Sequence, residues 1–583
     1  MGNVNIKING MPIAVPKDST ILEAARTAGI RIPTLCYLKD INAIGACRMC
    51  LVEIKGARSF AASCVQPVGE GMEISTNSPA IIRSRKNTLE LLLSTHNKKC
   101  LSCTRSGDCE LQELCTEYGI EDDNKYMGAN ETYKIDDSAP HMYRDNSKCI
   151  LCRRCVAACT KVQSVGVIGP NDRGFKSHIS CAFEANLADT SCVSCGQCIA
   201  VCPTGALSEK DDTQRVFDAI SDPTKHVVVQ TAPAVRAAIA EAFGNPVGTN
   251  GKGQMVAAIR RLGVDRVFDT NFSADLTIME EANEFIQRVT TGGTLPLITS
   301  CSPGWVKFCE HYYDDCIDNL STCKSPQQMF GAIAKSYYAE KMGIDPKNIF
   351  VVSVMPCTAK KFEMGRDNLN VGGIADIDVV ITTRELAKMI KKSGLMFNEL
   401  PEEEFDTPLG TGSGAGVIFG ATGGVMEAAL RTAVETLTDT KLEGATLNFT
   451  DVRGTKGIKE ATYQVGDLEV KVAVVSGLSN ARIIMDDIRA GKSPYQFVEI
   501  MACPGGCVNG GGQIIQPSSI SNNIDIRALR AGVLYGEDLN LPVRKSHENP
   551  VVKELYDTYL TKPGSHKSHE LLHTTYVKRG LYK

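Results

Sequence analysis

The first residues of the chain alternate between apolar and polar side chains, as a half-buried β-strand does. The alternation spans residues 6–15 and is broken by Asn9-Gly10, a dipeptide typical of two-residue turns, so it predicts a β-hairpin. Residues 18–20 then offer helix N-capping side chains, and residues 21–29 continue as a short helix that ends at a glycine. A hairpin followed by a helix predicts a small β-grasp domain.

Beyond this domain the pattern changes twice. A helical stretch from Pro79 to His96 and a group of closely spaced cysteines precede a polar segment, roughly 118–140, which we interpret as a linker. From about residue 225, short apolar runs alternate with amphipathic segments of helix length, which is typical of an α/β domain. The apolar runs are 226–229, 348–354 and 470–475, and the helical segments include 277–289 and 383–393. The last ~50 residues are polar and helical and predict a peripheral wrap.

Composition is ordinary and excludes few classes of protein. Of 583 residues, 43% are hydrophobic and 22% are charged, and the formal net charge is −4, which argues against a basic nucleic-acid-binding protein. No apolar run approaches the ~18–20 residues that span a bilayer, and the start of the chain is patterned as a strand instead of a signal peptide. We therefore expect a soluble, cytoplasmic protein of several domains.

Cysteine is the exception to this ordinary composition. Of the 24 cysteines, 17 lie in residues 1–202 and 7 in residues 203–583. In a reducing compartment, dense cysteines bind metal more often than they form disulfides. The pattern therefore favours metal centres in the first third of the chain.

Four cysteines lie on predicted loops beside the hairpin and helix, namely Cys36, Cys47, Cys50 and Cys64. Four thiolates at this spacing suit a [2Fe–2S] cluster, with a zinc site as the alternative. The spacing resembles that of the plant-type ferredoxin domain at the front of the large peripheral subunit of complex I and of iron-only hydrogenases.

A histidine precedes the next three cysteines, in the order His96, Cys100, Cys103 and Cys109. Read alone, the histidine is an ordinary surface residue, and three cysteines with one histidine are also a zinc ligand set. Its position between two other cluster motifs favours a [4Fe–4S] cluster with one imidazole ligand, because the iron-only hydrogenases have the same order.

Two copies of the bacterial ferredoxin run follow and form an internal repeat. In such runs the fourth cysteine binds the cluster of the other run. This rule predicts two [4Fe–4S] clusters, one held by Cys149, Cys152, Cys155 and Cys202 and the other by Cys192, Cys195, Cys198 and Cys159.

Cysteines also occur in three unusual segments of the α/β region. Cys301 lies in Thr-Ser-Cys-Ser-Pro-Gly-Trp, and Cys357 lies in Met-Pro-Cys-Thr-Ala-Lys-Lys. Cys503 and Cys507 are separated by three residues within a glycine-rich stretch, and glycines allow the backbone to approach a bulky inorganic ligand closely.

These three segments resemble the signatures of the [FeFe]-hydrogenase catalytic domain, and the accessory motifs extend the resemblance over nearly the whole chain. The layout is similar to that of large clostridial-type enzymes and of catalytic subunits of multimeric NAD(P)-linked hydrogenases, including electron-bifurcating ones. The resemblance implies an H-cluster, in which a [4Fe–4S] cube shares a cysteine with a two-iron unit carrying CO, CN⁻ and dithiolate ligands. It implies that Cys357, Cys503 and Cys507 hold the cube and that Cys507 is the shared ligand.

One position departs from the family pattern. The first signature of the family commonly has two adjacent cysteines, of which the first relays protons and the second binds the cube, whereas here Cys301 is followed by Ser302. Because thiolate binds iron far better than a neutral alcohol does, the chemistry favours Cys301 as a cube ligand. Alignment with the family favours Cys301 as the proton relay, and both roles stay open at this point.

The resemblance also implies a proton path and a pocket. Glu281 and Glu284 lie three residues apart on one face of a predicted helix, where a solvated charged surface is the alternative to proton transfer. With Ser321 and Arg288 they match the proton path of the family, and Lys360 matches a lysine that donates to an iron-bound cyanide. The positions that match the lining of the two-iron pocket are Ala232, Pro233, Ala234, Gln327, Met355 and Met501.

Some features receive no cluster assignment. Three cysteines recur every seven residues, which predicts one buried stripe on a helix. The glycine run at 410–416 follows no strand and so lacks the context of a dinucleotide fold, and the sequence indicates no flavin or nicotinamide site. The unassigned cysteines are Cys309, Cys316 and Cys323 of the stripe, together with Cys115 and Cys181.

The expected architecture is α+β and multidomain, and its α/β H-cluster domain carries a helical C-terminal wrap. The predicted units are a plant-type [2Fe–2S] β-grasp domain at 1–78, a [4Fe–4S] domain with one histidine and three cysteine ligands at 79–118, a two-[4Fe–4S] ferredoxin-like domain at 139–210, an H-cluster domain at 211–520 and a segment resembling the family's small subunit at 521–583.

With the resemblance, this arrangement predicts an oxidoreductase that interconverts protons and electrons with H2 and moves electrons through four accessory clusters. Because no nucleotide site is visible, the expected partners are a ferredoxin or flavin- and NAD(P)-binding subunits in a hetero-oligomer, and neither nucleic acid nor membrane. The alternatives are a hydrogen-sensing regulatory relative and a non-catalytic iron–sulfur electron-transfer or assembly protein.

Overall fold

The alternating start of the chain forms the predicted hairpin. In a computed structural model that describes residues 2–128, 130–466 and 468–582, the first two strands pair antiparallel around Asn9-Gly10, whose φ angles are 50° and 83°. Thr20 caps the first helix through a reciprocal capping box with Glu23. The elements are β1 (Asn3–Ile8), β2 (Met11–Pro16), α1 (Ile21–Thr27), β3 (Leu51–Ile54), β4 (Ala61–Ala62) and β5 (Glu73–Ser75), and the sheet order is β2-β1-β5-β3-β4.

Two helices lead from this sheet to the ferredoxin repeat. The first is capped by Ser78 and ends at Leu93, one turn earlier than the sequence pattern predicts. They are α2 (Pro79–Leu93) and α3 (Glu110–Glu117). The repeat itself contains β6 (Met142–Arg144), α4 (Arg154–Ala157), β7 (Gly169–Asn171), β8 (His178–Ser180), α5 (Gln197–Ala200) and β9 (Leu207–Glu209), with a π-helical turn at Ala158–Val162.

Two four-stranded sheets organise the α/β region, in the orders β11-β10-β13-β16 and β12-β19-β18-β17. All pairs in the first sheet are parallel, and helices cover it, as βαβ connections require. The strands are β10 (His226–Thr231), β11 (Arg266–Asp269), β12 (Leu297–Ile298), β13 (Ile349–Met355), β16 (Val379–Thr382), β17 (Ile458–Val465), β18 (Leu468–Ser476) and β19 (Phe497–Met501), with a small β14 (Asn370–Val371) and β15 (Ile374–Ala375) hairpin.

The helices of this region include the two that the apolar pattern predicts, α9 and α14. They are α6 (Thr213–Ser221), α7 (Pro233–Arg236), α8 (Lys252–Arg261), α9 (Asn271–Thr291), α10 (Pro303–Tyr312), α11 (Pro326–Ile333), α12 (Ala339–Met342), α13 (Ala359–Glu363), α14 (Thr383–Lys392), α15 (Gly414–Ile418), α16 (Gly424–Thr438) and α17 (Leu478–Arg489), and a π-helical turn at Ala334–Tyr338 joins α11 to α12. The α+β multidomain class is confirmed.

The C-terminal segment is helical, as predicted, but it is more than a peripheral wrap. Asp538 is fully buried and accepts hydrogen bonds from Arg431, which is also fully buried. Such a buried pair requires the segment to be integrated with α16 instead of lying on a surface. The helices are α18 (Ser518–Ser521), α19 (Ile526–Asn540), α20 (Pro550–Leu555) and α21 (His566–Leu572), with a π-helical turn at Tyr556–Leu560.

The predicted cysteine stripe is wrong. Cys309 lies in α10, but that helix ends at Tyr312, Cys316 lies in a separate 3₁₀ turn, and Cys323 lies in an extended segment before α11. All three side chains are nevertheless buried, as small core residues are. The glycine run at 410–416 follows irregular structure, as predicted, and enters α15 behind the N-cap Ser413.

Among the described residues, no helix is long and apolar enough to cross a bilayer.

Candidate active site

One mostly apolar cavity lies where several strands of the α/β region end. Residues after β10, at the end of β13 and at the end of β19 line it, and the carboxyl ends of parallel strands are the usual place for a ligand in such sheets. Of the predicted pocket residues, the lining includes Ala232, Pro233, Gln327, Met355 and Met501. Ala234 is not in the lining and is buried in a neighbouring core cluster with Leu534.

The cysteines of all three unusual segments meet at this cavity. Cys301, Cys357, Cys503 and Cys507 all border it. Burial, reinforced by the charge of nearby Cys357, raises the pKa of Cys507 to about 12. Buried thiols with raised pKa values become thiolates only when a cation replaces the proton, so the set suits a metal centre.

Glycines let the backbone close around these cysteines. A Cβ atom on Gly510 would lie 2.0 Å from the carbonyl oxygen of Pro356, immediately before Cys357. Gly506 has a φ of 92°, and a Cβ atom there would lie 2.7 Å from the backbone nitrogen of Thr422. Both positions require glycine, and the resulting cradle of cysteines, apolar walls and a lysine fits an anionic iron–sulfur cofactor.

Cys301 and Ser302 have different surroundings. Cys301 packs against the core cluster that includes Ala274 and Ile278 of α9, and burial, together with the nearby Glu281 carboxyl, raises its pKa well above the usual value. The hydroxyl oxygen of Ser302 accepts a hydrogen bond from the backbone N–H of Ala502 over 3.3 Å, one residue before Cys503. Cys301 therefore faces the helix that carries Glu281, whereas Ser302 lies beside the loop that carries Cys503.

Lys360 is held in place by a carboxylate that the sequence analysis did not assign. Its Nζ donates to Glu363 Oε2 over 2.9 Å and to the carbonyl oxygen of Cys301 over 3.3 Å. The same Glu363 oxygen accepts from Ser325 over 3.0 Å and from Gln327 over 3.1 Å. The position three residues after Lys360 on α13 was the available sequence signal, because such pairs share a helix face.

Hydrogen bonds join three of the predicted proton-path residues, Ser321, Glu284 and Arg288, and Glu281 lies buried near Glu284. Glu281 is 1% exposed, and its Oε2 has no hydrogen-bond partner among the described residues. Ser321 Oγ donates to Glu284 Oε2 over 2.8 Å, and Arg288 Nη2 donates to Glu284 Oε1 over 2.6 Å. The side chains of Glu284 and Arg288 are partly exposed. The burial of Glu281 argues against the alternative of a solvated charged face.

Charge and burial shift the pKa values along this series. Burial raises the pKa of Glu281 to about 8, and the neighbouring Glu284 contributes in the same direction. Glu499, which the sequence analysis did not assign, lies nearby on β19, and burial raises its pKa to about 7. A lone acid within the apolar run Phe497–Met501 was the available sequence signal.

A second cavity adjoins the first within the ferredoxin repeat. It is lined by Cys159, Cys192, Cys195 and Cys198, the four cysteines that the repeat rule assigns to one cluster. Cys195 also lines the first cavity. Clusters bound at these two places would therefore lie close together.

The remaining predicted ligands also gather into groups. Cys36 interacts with Cys47 and Cys64, and Cys64 interacts with Cys50. These contacts lower the pKa values of Cys36 and Cys50 and raise the pKa of Cys64. The charges of Cys149, Cys152 and Cys202 raise the pKa of Cys155 beyond the effect of burial.

The His96 group has an imidazole suited to metal binding. Burial and the charge of Lys148 lower the pKa of His96 to about 4, which keeps the ring neutral. The sulfur of Cys103 packs against Gly205, where a Cβ atom would approach it to 2.5 Å. Cys109 precedes α3 and lies against Pro203, with its sulfur 3.7 Å from the carbonyl oxygen.

Five family models match the chain, each over its own range of residues. They are the iron only hydrogenase large subunit, C-terminal domain (225–511), the iron hydrogenase small subunit (524–579), a 2Fe-2S iron-sulfur cluster binding domain (2–79), the NADH-ubiquinone oxidoreductase-G iron-sulfur binding region (85–124) and a 4Fe-4S dicluster domain (148–206).

Individual relatives match over their full lengths. The chain is 50% identical to the NADP-reducing hydrogenase subunit HndD of Solidesulfovibrio fructosivorans, over 99% of this chain and 100% of that protein. It is 44% identical to iron hydrogenase 1 of Clostridium pasteurianum, over 98% and 100%. A solved structure of [FeFe]-hydrogenase HydA1 from Chlamydomonas reinhardtii matches with a TM-score of 0.56 and 45% identity, over 64% of this chain and 100% of that one. With these matches and its cysteine-lined cavity, the chain belongs to the [FeFe]-hydrogenases, a family of oxidoreductases.

Proposed function

We propose that this chain is the catalytic subunit of a multimeric hydrogenase and interconverts 2 H⁺ + 2 e⁻ with H2. The observation that carries the proposal is the meeting of Cys357, Cys503 and Cys507 at one buried cavity that Lys360 also borders. A bound H-cluster would supply the iron at which hydrogen is formed or split. The protein supplies the ligands, a water-poor environment and a route for protons.

The cysteines divide into ligands and a relay. Cys357, Cys503 and Cys507 would hold the cube, with Cys507 shared with the two-iron unit. Ser302 would face the cube, because its hydroxyl lies beside the Cys503 loop. Cys301 would act as the proton relay, because it lies beside Glu281 and its raised pKa keeps a proton on sulfur. This assignment leaves Cys301 out of the cube ligands, which the chemistry of thiolate alone had favoured.

Lys360 and the apolar wall would position the two-iron unit. The Lys360 ammonium is fixed by Glu363 and can offer its remaining hydrogens to an anionic ligand in the cavity. Ala232, Pro233, Gln327, Met355 and Met501 would surround that ligand and exclude water.

Protons would pass between the cavity and solvent through the buried acids. Cys301 would exchange a proton at its sulfur with Glu281, whose pKa near 8 allows it to both carry and release a proton at neutral pH. Ser321 bonds to Glu284 and would connect the two carboxyls. Glu284 and Arg288 would complete the route to the surface, where both are partly exposed.

Electrons would travel through one [2Fe–2S] and three [4Fe–4S] clusters held by the predicted ligand sets. The double role of Cys195 in lining both cavities supports direct transfer between the nearest accessory cluster and the cube. Full-length similarity to an NADP-reducing hydrogenase subunit supports flavin- and NAD(P)-binding partner subunits in a multi-subunit complex, with a ferredoxin as a further electron partner.

Infrared spectroscopy of anaerobically purified, maturated protein tests the proposal, together with hydrogen evolution from a reduced dye. We expect bands in the CO and CN⁻ stretching regions and turnover, and we expect both to disappear in Cys507→Ala. Cys309→Ser is the matched control, because this buried cysteine lies outside the cavity and a hydroxyl can keep its contact with the Tyr313 carbonyl. Absence of bands after full maturation, with intact accessory clusters, would leave an electron-transfer protein.

A second assay tests the partners. The chain alone should reduce a viologen with H2 but should not reduce NADP⁺, and addition of flavin-containing partner subunits should confer NADP⁺ reduction. Reduction of NADP⁺ by the chain alone would contradict the assignment of the nucleotide site to partner subunits.

A further inference from the structure

The second cavity contains two polar side chains that have no role so far. His141 and Gln163 line it together with Cys159, Cys192, Cys195 and Cys198. His141 immediately precedes β6, and Gln163 follows the π-helical turn that carries Cys159. Each side chain is only 1% exposed.

Both side chains have a nitrogen without a partner. Among the described residues, neither Nδ1 of His141 nor Nε2 of Gln163 has a hydrogen-bond partner. The other end of the Gln163 amide is engaged, because its Oε1 accepts from the backbone N–H of Leu478 over 3.4 Å, which leaves the NH2 group free to point elsewhere. The Gln163 NH2 group can only donate, and the His141 ring donates from Nδ1 in the tautomer that carries the proton on that nitrogen. Buried donors are rarely left unpaired in folded proteins, so both call for an acceptor in this cavity.

The histidine is suited to be a donor. Burial and the charges of Lys307, Lys210 and Lys361 lower the pKa of His141 to about 3, so the ring is neutral and carries one N–H. The remaining lining is apolar apart from the cysteines, Arg144 and Gln197. Arg144 already donates to Asp136 and Ser180, and Gln197 already donates to the carbonyl oxygen of Asn509. Sulfur atoms of a bound cluster would therefore be the acceptors at hand.

We propose that His141 and Gln163 donate N–H···S hydrogen bonds to the [4Fe–4S] cluster of Cys159, Cys192, Cys195 and Cys198 and thereby raise its reduction potential. Reduction adds negative charge to the cluster, and a fixed donor stabilises the more negative state more strongly. The inference rests on the proposed function, because it requires a cluster in this cavity.

The position of this cluster beside the catalytic cavity gives its potential a role in electron supply. Cys195 borders the catalytic cavity as well, so this cluster is the accessory cluster next to the catalytic site. A raised potential lets it hold an electron beside that site, ready for the second electron that each H2 requires. His141 and Gln163 are positioning residues in this scheme, because they act through the cluster and touch no substrate.

Potentiometric titration followed by electron paramagnetic resonance tests the inference on the full-length protein carrying its iron–sulfur clusters. The variants are Gln163→Met, which keeps the side-chain volume without the donor, His141→Leu, and the double variant. The spectral component of this cluster is identified by its loss in Cys198→Ala. We expect the ratio of reduced to oxidised cluster at a fixed potential to fall about tenfold in the double variant, which is about 59 mV for a one-electron couple, with unchanged iron content.

Two controls separate tuning from general damage. His178→Leu removes a histidine of the same domain that bonds to Glu184 and to the carbonyl of Lys176 and does not line the cavity, so the potential should not change. His141→Asn keeps an N–H donor, so its reduction potential should lie closer to that of the wild type than the potential of His141→Leu does.

The outcomes distinguish this inference from the proposed function. If Gln163→Met and the double variant titrate like the wild type with full iron content, the inference fails and the cluster assignment survives. If the wild type lacks the component that Cys198→Ala is meant to remove, the cluster assignment itself fails.

Discussion

The hydroxyl of Thr358 donates to the backbone carbonyl of Ser194 over 2.8 Å, and both residues are fully buried. Thr358 follows Cys357 of the catalytic cavity, and Ser194 precedes Cys195, which lines both cavities. The bond therefore joins the catalytic region to the ferredoxin repeat where their proposed cofactors come closest.

Substitution of Gly196 should disturb this junction. A Cβ atom there would lie 2.3 Å from Thr358 Oγ1 and 3.1 Å from Gly511 Cα, at a φ of 67°. We expect Gly196→Ala to lower the unfolding free energy by more than the ~1–2 kcal/mol of left-handed strain alone, because the two segments must also separate, and to slow electron supply to the catalytic site. Thermal unfolding and dye-linked hydrogen evolution measure the two effects.

Gly174→Ala is the matched control for this substitution. Gly174 has a φ of 61°, but a Cβ atom there would have no neighbouring atom within 4 Å, so the two variants share only the backbone strain. Equal losses in both variants would show that contact with Thr358 does not matter.

Glu281→Gln should block proton transfer without emptying the site. The substitution keeps size and burial but removes the exchangeable acid, so hydrogen evolution should fall by ~10²-fold or more, while the infrared bands stay. Glu280→Gln is the comparison, since Glu280 is as buried as Glu281 but its carboxylate bonds to Tyr556, Gly564 and His573 and to none of the proposed path residues. That variant should lower the unfolding temperature and keep turnover. Unchanged turnover in Glu281→Gln would exclude this path.

The raised pKa of Glu281 sets the pH dependence of this step. Below about pH 8 its carboxyl is protonated and can donate, and above that value it becomes a buried carboxylate that cannot. Exchange between D2 and water, which needs no external electrons, should therefore slow as the pH rises through about 8. Glu499→Gln removes a neighbouring charge that raises this pKa, so the midpoint should move to lower pH. A midpoint that does not respond to Glu499 would assign the ionisation to another group.

The free energy of unfolding should also decrease as the pH rises. Glu281 has a higher pKa in the folded state than the ~4.3 of an exposed glutamate. The stability that the buried, protonated carboxyl contributes is therefore fully present below about pH 4.3 and is lost as the pH rises through about 8. Glu281→Gln lacks this dependence, and its stability relative to the wild type should rise between pH 5 and pH 8. Unfolding midpoints at these two pH values provide the measurement.

Glu363→Gln should weaken the hold on the catalytic cofactor through Lys360. Glu363 Oε2 accepts from Lys360, Gln327 and Ser325, and an amide cannot serve three donors as well as a carboxylate does. Loss of such supporting contacts costs ~10–100-fold in affinity or activity at metal sites. Infrared band intensity per iron measures cofactor loading, and the exposed Glu340→Gln is the control. Full loading and turnover in Glu363→Gln would mean that Lys360 needs no such anchor.

The sequence predicted what is encoded locally. The hairpin at Asn9-Gly10, the ferredoxin runs and the helix that carries Glu281 depend on spacings of a few residues, and these patterns led to the correct elements and class. The cysteine stripe failed because a seven-residue period does not show where a helix ends, and α10 ends before Cys316.

Contacts between distant segments do not follow from local spacing in the sequence. Glu363 lies two residues after the Cys357 segment, but its link to Gln327 depends on how α11 meets α13. The position of Cys195 between two cavities depends on how the repeat docks on the α/β region. The choice between Cys301 and Ser302 likewise became arguable only once their neighbours on α9 and at Ala502 were known.

Substitutions at Cys301 and Ser302 separate the relay from the ligand. If Cys301 is the relay, Cys301→Ala should abolish turnover while the iron content and the infrared bands persist. If it were a cube ligand, the same substitution would reduce the iron content and remove the bands, because the cube would lose a thiolate. Ser302→Cys places a thiol beside the Cys503 loop and should give a cube with four sulfur ligands. Mössbauer spectroscopy should then show one cube iron changing its isomer shift towards the values of its neighbours, with Cys301 still required for turnover. An unchanged Mössbauer spectrum in Ser302→Cys would place Ser302 away from the cube.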